Sequence, residues 1–349
     1  MILFNRDVPR RFDVSLIHTF EHTTYIHCFQ FSPDGRFIAI ACSESVAIFD
    51  CQTGNKVALI YEEDSNLVTP VAQQICFTSD GRHLVGLKRD RIKVWDIETG
   101  DNRIVNGDLV QGLILVGSDD GTMLVTSSDD GVRKVWDLNF RGRPSIQQRT
   151  LLLGEFKVDE FAISPDKKFV AGGGPRGKVV VWETETGAVV LDSEICEERV
   201  DNLKFSSKGN RLLVGSYSGT LRLLEFATAN RGADRDADLR AHSTNPQVRT
   251  FPPSAEDDGW VFSVSWSGDD KYVLAGYLNG TICVWNNNLV PEFILGRSHD
   301  RSGIGISRSL SKLCLVNRLI STVSTGGDYL FATSSARDCK VRVWKYGNI

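Results

Sequence analysis

Short apolar runs and clusters of turn formers alternate along this chain, and the third of its repeats shows the unit most clearly. Residues 113–116 read as a buried inner strand, Asp119-Asp120-Gly121 as a turn, and residues 122–126 as the next strand. A tight Asp129-Asp130-Gly131 hairpin leads into residues 132–136, where Val132 and Val135 would pack inward. Each repeat closes on a bulky residue followed by a polar one. The marks are Phe49-Asp50, Trp95-Asp96, Trp136-Asp137, Trp182-Glu183, Leu224-Glu225, Trp285-Asn286 and Trp344-Lys345. Their spacings are 46, 41, 46, 42, 61 and 59 residues.

A period of roughly 40–45 residues ending in Trp-Asp is the signature of a WD40 β-propeller, with about four strands to a blade. The chain is therefore expected to be all-β, a single seven-bladed propeller over residues 1–349. Turn formers fall between first and second strands, as in Ser32-Pro33-Asp34-Gly35, Ser79-Asp80-Gly81, Ser164-Pro165-Asp166 and Ser207-Lys208-Gly209. Asn279-Gly280 suits a two-residue hairpin.

In such blades a buried network joins a Ser or Thr, the hairpin Asp, the Trp indole and a His from the preceding loop. Blade three supplies Thr126, Asp130 and Trp136, blade seven Asp338 and Trp344, and His22 stands ready for blade one. Six residues before the other landmarks the Asp is replaced by Ser43, Arg89, Arg176, Ser218 and Asn279. Each hydrogen bond is worth only about 1 kcal/mol net, so a ring held mainly by apolar packing between blades is expected.

The last repeat ends after its third strand, while residues 12–18 have strand character and no partner in their own repeat. Residues 12–20 are therefore expected to close blade seven by pairing with residues 341–344, which removes an exposed edge. Two stretches break the rhythm: a polar insertion at 227–259, within which 247–251 could supply blade five's outer strand, and an irregular insert at 298–318. An inner strand at 319–324 is expected after the second.

A net charge of −4 argues against direct nucleic-acid binding by bulk electrostatics. No apolar run is long enough for a membrane span, and residues 1–11 carry charges and a proline where a secretion signal needs an apolar stretch. The eight cysteines contain no CxxC pair and read as reduced thiols. Residues 172–178 (Gly-Gly-Gly-Pro-Arg-Gly-Lys) imitate a phosphate loop, but Val179 replaces the Ser or Thr. They read instead as a hairpin before the next strand. The six histidines lack ligand spacing, and no nucleophile constellation appears, so no metal, cofactor or catalytic residue is expected.

The two ends carry a narrower likeness. Residues 13–25, then Cys28-Phe29-Gln30-Phe31-Ser32 and Asp50-Cys51-Gln52-Thr53-Gly54, resemble the propeller opening of fungal Tup-type, Groucho-like transcriptional corepressors. Phe331-Ala332-Thr333 and residues 337–346 look like that family's closing stretch. The resemblance implies a nuclear, non-enzymatic module that docks DNA-bound repressors and contacts histone tails or deacetylase complexes. It also implies an N-terminal tetramerising helix and a glutamine-rich segment, and neither is found in residues 1–11. By the same likeness the docking face is the narrow end of the ring, at residues just before each inner strand. Aligning the repeats puts His27, Gln73, Leu113, Asp159, Asp201 and Phe262 there, with Trp260 nearby. The competing expectation is a general scaffold, such as a ubiquitin-ligase substrate receptor or an assembly platform.

Overall fold

The computed structural model describes residues 2–4, 12–43, 45–61, 74–78, 80–88, 91–105, 114–118, 122–127, 133–139, 145–151, 157–226, 246–251, 261–267, 269–277, 281–295, 321–325, 328–335 and 339–348. They form seven antiparallel sheets, six of four strands and one of five. Blade one is typical: Ile26–Phe31 lies innermost, followed outward by Phe37–Cys42, Ser45–Asp50 and Lys56–Tyr61. The inner strands of the other blades are Gln74–Phe77, Ile114–Gly117, Glu160–Ile163, Val200–Phe205, Val261–Trp266 and Ser321–Thr325. Each touches the inner strand of the next blade, and the seventh touches the first, so the circuit is closed. The fold is a seven-bladed β-propeller.

Closure is made by Phe12–Glu21, which becomes the outermost strand of blade seven against Lys340–Asn348. Leu16 lies opposite Trp344 and Phe20 opposite Val341, with a bulge between Leu16 and His18. The His18 Nε2 atom lies 3.0 Å from the Cys51 carbonyl in blade one. Its ring sits over Gly54, where a Cβ would fall 2.8 Å from Nδ1. Gly54 has φ +74°, so the turn and the close approach both require glycine. Insertion segment 227–259 does contribute a strand, Gln247–Thr250, which completes blade five against Leu221–Glu225. The 298–318 insert lies outside the described residues. One element was not expected: Ile2–Phe4 adds a fifth strand to blade six.

Local polar chemistry sets the turns. Between first and second strands the hydroxyls of Ser32, Thr78, Ser164 and Ser267 donate to Asp34, Asp80, Asp166 and Asp269. The same hydroxyls accept backbone N–H groups five residues on. The polar half of each landmark has its own task. Asp50 accepts N–H bonds from Gln52 and Thr53, and Asp96 from Glu98 and Thr99. These bonds fold the corner to the outer strand, with Gly54 and Gly100 at positive φ closing it.

The core is a ring of seams between blades, as the decay of the polar network suggested. One cluster joins Met123, Val125 and Val135 of blade three to Phe161, Val170 and Trp182 of blade four. Another joins Leu274, Val284 and Phe293 of blade six to Phe331, Trp344 and Tyr346 of blade seven.

The landmark tryptophans divide into two groups. Trp136 Nε1 donates to Thr126 Oγ1 at 2.9 Å and Trp344 Nε1 to Thr333 Oγ1 at 3.0 Å. The indole N–H groups of Trp95, Trp182 and Trp285 are buried and make no hydrogen bond. Strand register explains the split. Thr126 and Thr333 each lie two residues beyond the partner of their landmark, and in blades two, four and six that position holds Gly86, Gly172 and Ala275. None of these three side chains offers an acceptor. Asp130 and Asp338, the expected third members, lie outside the described residues.

Blade one has neither Trp nor Thr. There His22 Nδ1 meets Cys42 Sγ at 3.2 Å, and its ring stands edge-on to Phe49 with centroids 6.0 Å apart. Burial, reinforced by the Lys56 charge, lowers the His22 pKa, so the ring stays neutral.

Candidate partner-binding face

All inner strands run in the same direction round the ring, so their starts share one end of it. At that end, among the described residues, three of them carry a bulge. In blade one Ile26 pairs with Cys42 and Cys28 with Ala41, which leaves His27 unpaired between them. In blade five Val200 pairs with Ser216 and Asn202 with Gly215, around Asp201. In blade six Val261 pairs with Tyr277 and Ser263 with Gly276, around Phe262. A bulge frees one residue from the ladder and re-aims it. Each bulged residue follows a buried aliphatic residue: Ile26, Val200 or Val261.

The expected face residues were assigned to the segment before each inner strand. His27, Asp201 and Phe262 instead lie inside their strands, as the second residue, because the bulge interrupts pairing after the strand has begun. Asp159 does precede its strand. Its N–H donates to the Gly173 carbonyl at 2.8 Å, and Val158 before it is buried. Gln73, Leu113 and Trp260 lie outside the described residues, as does the side chain of Phe262.

Blades four and five bring several charges together here. Arg199 Nε donates to Asp201 Oδ1 at 2.6 Å, and its guanidinium lies 5.3 Å from the Tyr217 ring centroid. Tyr217 is fixed by its own N–H bond to the Arg199 carbonyl at 2.9 Å. Burial raises the Asp201 pKa and the nearby Asp159 charge adds to that, while Arg199 pulls the other way. For Arg199 burial disfavours the charge, but Asp201 and Asp159 outweigh it and hold the guanidinium protonated. Arg199 keeps 42% of its side chain exposed, so the pair is worth no more than about 1 kcal/mol to the fold.

Asn202 Nδ2 donates to the Val261 carbonyl at 2.8 Å, which ties the bulge of blade five to that of blade six. In blade one His27 Nε2 lies 3.0 Å from Ser43 Oγ, and burial lowers its pKa. Beside it Tyr25 is 61% exposed. The sequence reading missed Tyr25, Arg199 and Tyr217. Two of them, Tyr25 and Arg199, sit directly before the buried aliphatic residue of a bulge, a signal that becomes visible once the repeats are aligned on Ile26 and Val200.

No group of three His, Cys, Asp or Glu side chains among the described residues is arranged to hold a metal ion. The glycine-rich stretch ends a strand at Gly173, makes one 3-10 turn over Pro175–Gly177 and enters the strand Lys178–Glu183. A Cβ on Gly177 would meet the Cys196 carbonyl oxygen at 1.7 Å, so the glycine serves packing. Burial, with the charges of Asp50 and Asp34, pushes the Cys51 thiol up to about 12, which leaves it protonated.

Repeated four-stranded blades in a closed ring define the class, a seven-bladed β-propeller. The WD domain, G-beta repeat profile matches residues 14–50 and 245–286. Over 100 residues, 28% of this chain, the sequence is 33% identical to the transcriptional repressor rco-1 of Neurospora crassa, of which the match spans 17%. Over 280 residues it is 24% identical to the COMPASS component SWD3 of Saccharomyces cerevisiae, covering 75% of this chain and 81% of that protein. Among solved structures, the Cps50 (Swd1) β-propeller domain of Myceliophteria thermophila superposes with a TM-score of 0.69. That match covers 95% of this chain and 99% of the other at 14% identity, a likeness of fold.

Proposed function

We propose that this propeller is a non-catalytic protein-interaction module of a nuclear transcriptional corepressor, and that it docks DNA-bound repressors and chromatin partners on the bulged end of the ring. The observation that carries the reading is the recurring bulge, which turns His27, Asp201 and Phe262 out of the ladder at one end. The corepressor role is supported by the 33% identity with rco-1 over 28% of this chain, and by the resemblance carried near both ends, at residues 13–54 and 331–346. Histone tails or deacetylase complexes are the further partners that this likeness implies. The Arg199–Asp201 pair beside Tyr217 suits a partner with both a basic and an apolar group, because exposed charges and aromatic faces at one spot set orientation and affinity together.

The test is recovery of transcription factors and chromatin proteins from nuclear extract on the immobilised protein, comparing wild type with His27→Ala and Asp201→Ala. Both variants should reduce recovery several-fold without loss of thermal stability. Equal recovery, or no such protein recovered by wild type, rejects the assignment. A second reading, a subunit platform inside a stable complex, is favoured by the alignment with SWD3 over most of both chains. It predicts stoichiometric co-purification of fixed subunits and no DNA-bound repressors.

A further inference from the structure

Five non-glycine residues among those described adopt left-handed backbone: Lys167, Arg176, Asp270, Leu289 and Cys339. That conformation crowds a Cβ, and it persists where the surroundings compensate for it or where a contact to a partner needs it. Four of the five show their compensation. Lys167 stands at the turn position that Gly35, Gly81 and Gly209 hold in other blades, and its Nζ donates to Thr122 Oγ1 of blade three at 2.9 Å. Asp270, at the same position in blade six, accepts from the N–H and the hydroxyl of Ser207 in blade five. Leu289 packs against the apolar cluster shared by blades five and six. Cys339 receives the His22 N–H on its carbonyl at 2.9 Å. Arg176, with φ +57° and ψ +35°, differs. Its side chain is exposed and, among the described residues, makes no hydrogen bond, ion pair or ring contact.

The hairpin beneath it is fixed. The Gly174 N–H donates to the Lys178 carbonyl at 3.0 Å and the Ile195 N–H to the Gly177 carbonyl at 2.8 Å, while Gly177 lies too close to Cys196 for any Cβ. The hairpin joins the second and third strands of blade four, and the Asp159–Gly173 bond at the start of the inner strand puts it at the bulged end. Its position is also free of the polar network: it is where blade three has Asp130, and in blade four the Trp182 indole makes no hydrogen bond. We propose that Arg176 is a docking residue of the bulged end, and that it receives the carboxylate of an aspartate or glutamate side chain on the partner protein. A guanidinium offers a fork of N–H donors that matches a carboxylate, and a fixed backbone beneath it lowers the ordering cost of binding. Asp201 and Asp159 at this end act instead on Arg199. The inference rests on the bulged end being the docking face, and adds the chemistry that blade four selects there.

The probe is a labelled decapeptide of alternating glutamate and glycine, titrated against the full chain at low salt and read by fluorescence anisotropy. Wild type should bind it and should not bind the glutamine analogue, and Arg176→Asn should weaken binding about fivefold. The same substitution should raise the melting temperature, because asparagine tolerates left-handed backbone better than arginine. An arginine serving the fold would give the opposite sign. Lys168→Asn makes the same charge change at the other end of blade four and should leave binding unchanged. His27→Ala should also leave it unchanged, so a failed repressor pull-down and a failed Arg176 contact are told apart. Absence of binding by wild type, equal binding of the glutamine peptide, or equal loss in Lys168→Asn overturns the proposal. So does an Arg176→Asn variant that binds as wild type does or melts at a lower temperature.

Discussion

Blades three and seven hold their landmark tryptophans by a hydrogen bond to Thr126 and Thr333, while blades two, four and six bury the same indole with no acceptor. The tryptophans of blades two, three, four and six are all at or below 1% exposure, so they differ in polar satisfaction and hardly in burial. An unsatisfied buried N–H costs about 1–3 kcal/mol, against about 2–3 kcal/mol or more from burying so large an apolar side chain. Packing therefore wins wherever the threonine is gone. The WD signature can decay in sequence while its architectural purpose survives.

That comparison can be broken from either side. The largest effect is expected when an acceptor is forced into blade four. A Cβ at Gly172 would lie 2.6 Å from a ring carbon of Trp182, so Gly172→Thr should destabilise by about 3 kcal/mol in a denaturant titration. Removing an existing acceptor comes next: Thr126→Val and Thr333→Val should each lose about 1–3 kcal/mol by the same measurement. Blade six permits the opposite change. Ala275→Ser adds a hydroxyl at the register position of Thr126 and should raise the unfolding free energy by about 1 kcal/mol. The smallest difference is between two identical substitutions: Trp136→Phe should cost about 1 kcal/mol more than Trp285→Phe, because only the first breaks a bond. Equal losses would mean the indole bond contributes nothing.

Blade one extends the contrast to pH. Its His22–Cys42 contact replaces the Trp–Thr bond, and burial lowers the pKa values of both His22 and His27. The unfolded chain then binds more protons than the folded one near and below the ordinary histidine value of about 6.5. Stability is therefore full above that value and is lost as the pH falls towards 5. A melting temperature that does not fall between pH 7 and pH 5, or that falls equally in His22→Asn, would remove His22 from this account.

Much of the ring was legible in the chain. The closing strand followed from a strand-like run at residues 12–18 without a neighbour and a last repeat one strand short, and Phe12–Glu21 against Lys340–Asn348 is the result. Gln247–Thr250 was anticipated because blade five lacked an outer strand and residues 247–251 of the insertion could supply one. The candidate face was less legible. His27, Asp159 and Asp201 could be aligned by repeat, but their neighbours Arg199 and Tyr217 meet only because two consecutive strand ends face each other. The threonine acceptor was recognised in blade three alone, since its place is defined by cross-strand register.

The sequence by itself determined the seven repeats and the turns, because spacing, glycine and Asx chemistry act within a few residues of one another, and the ring closure, because a spare strand near one end matched a strand missing at the other. Tertiary structure decided which indoles find an acceptor, which inner-strand residues are bulged out of the ladder, and that Ile2–Phe4 pairs along the outer edge of blade six. Those outcomes depend on pairing between residues distant in the chain, where one step of register changes every partner.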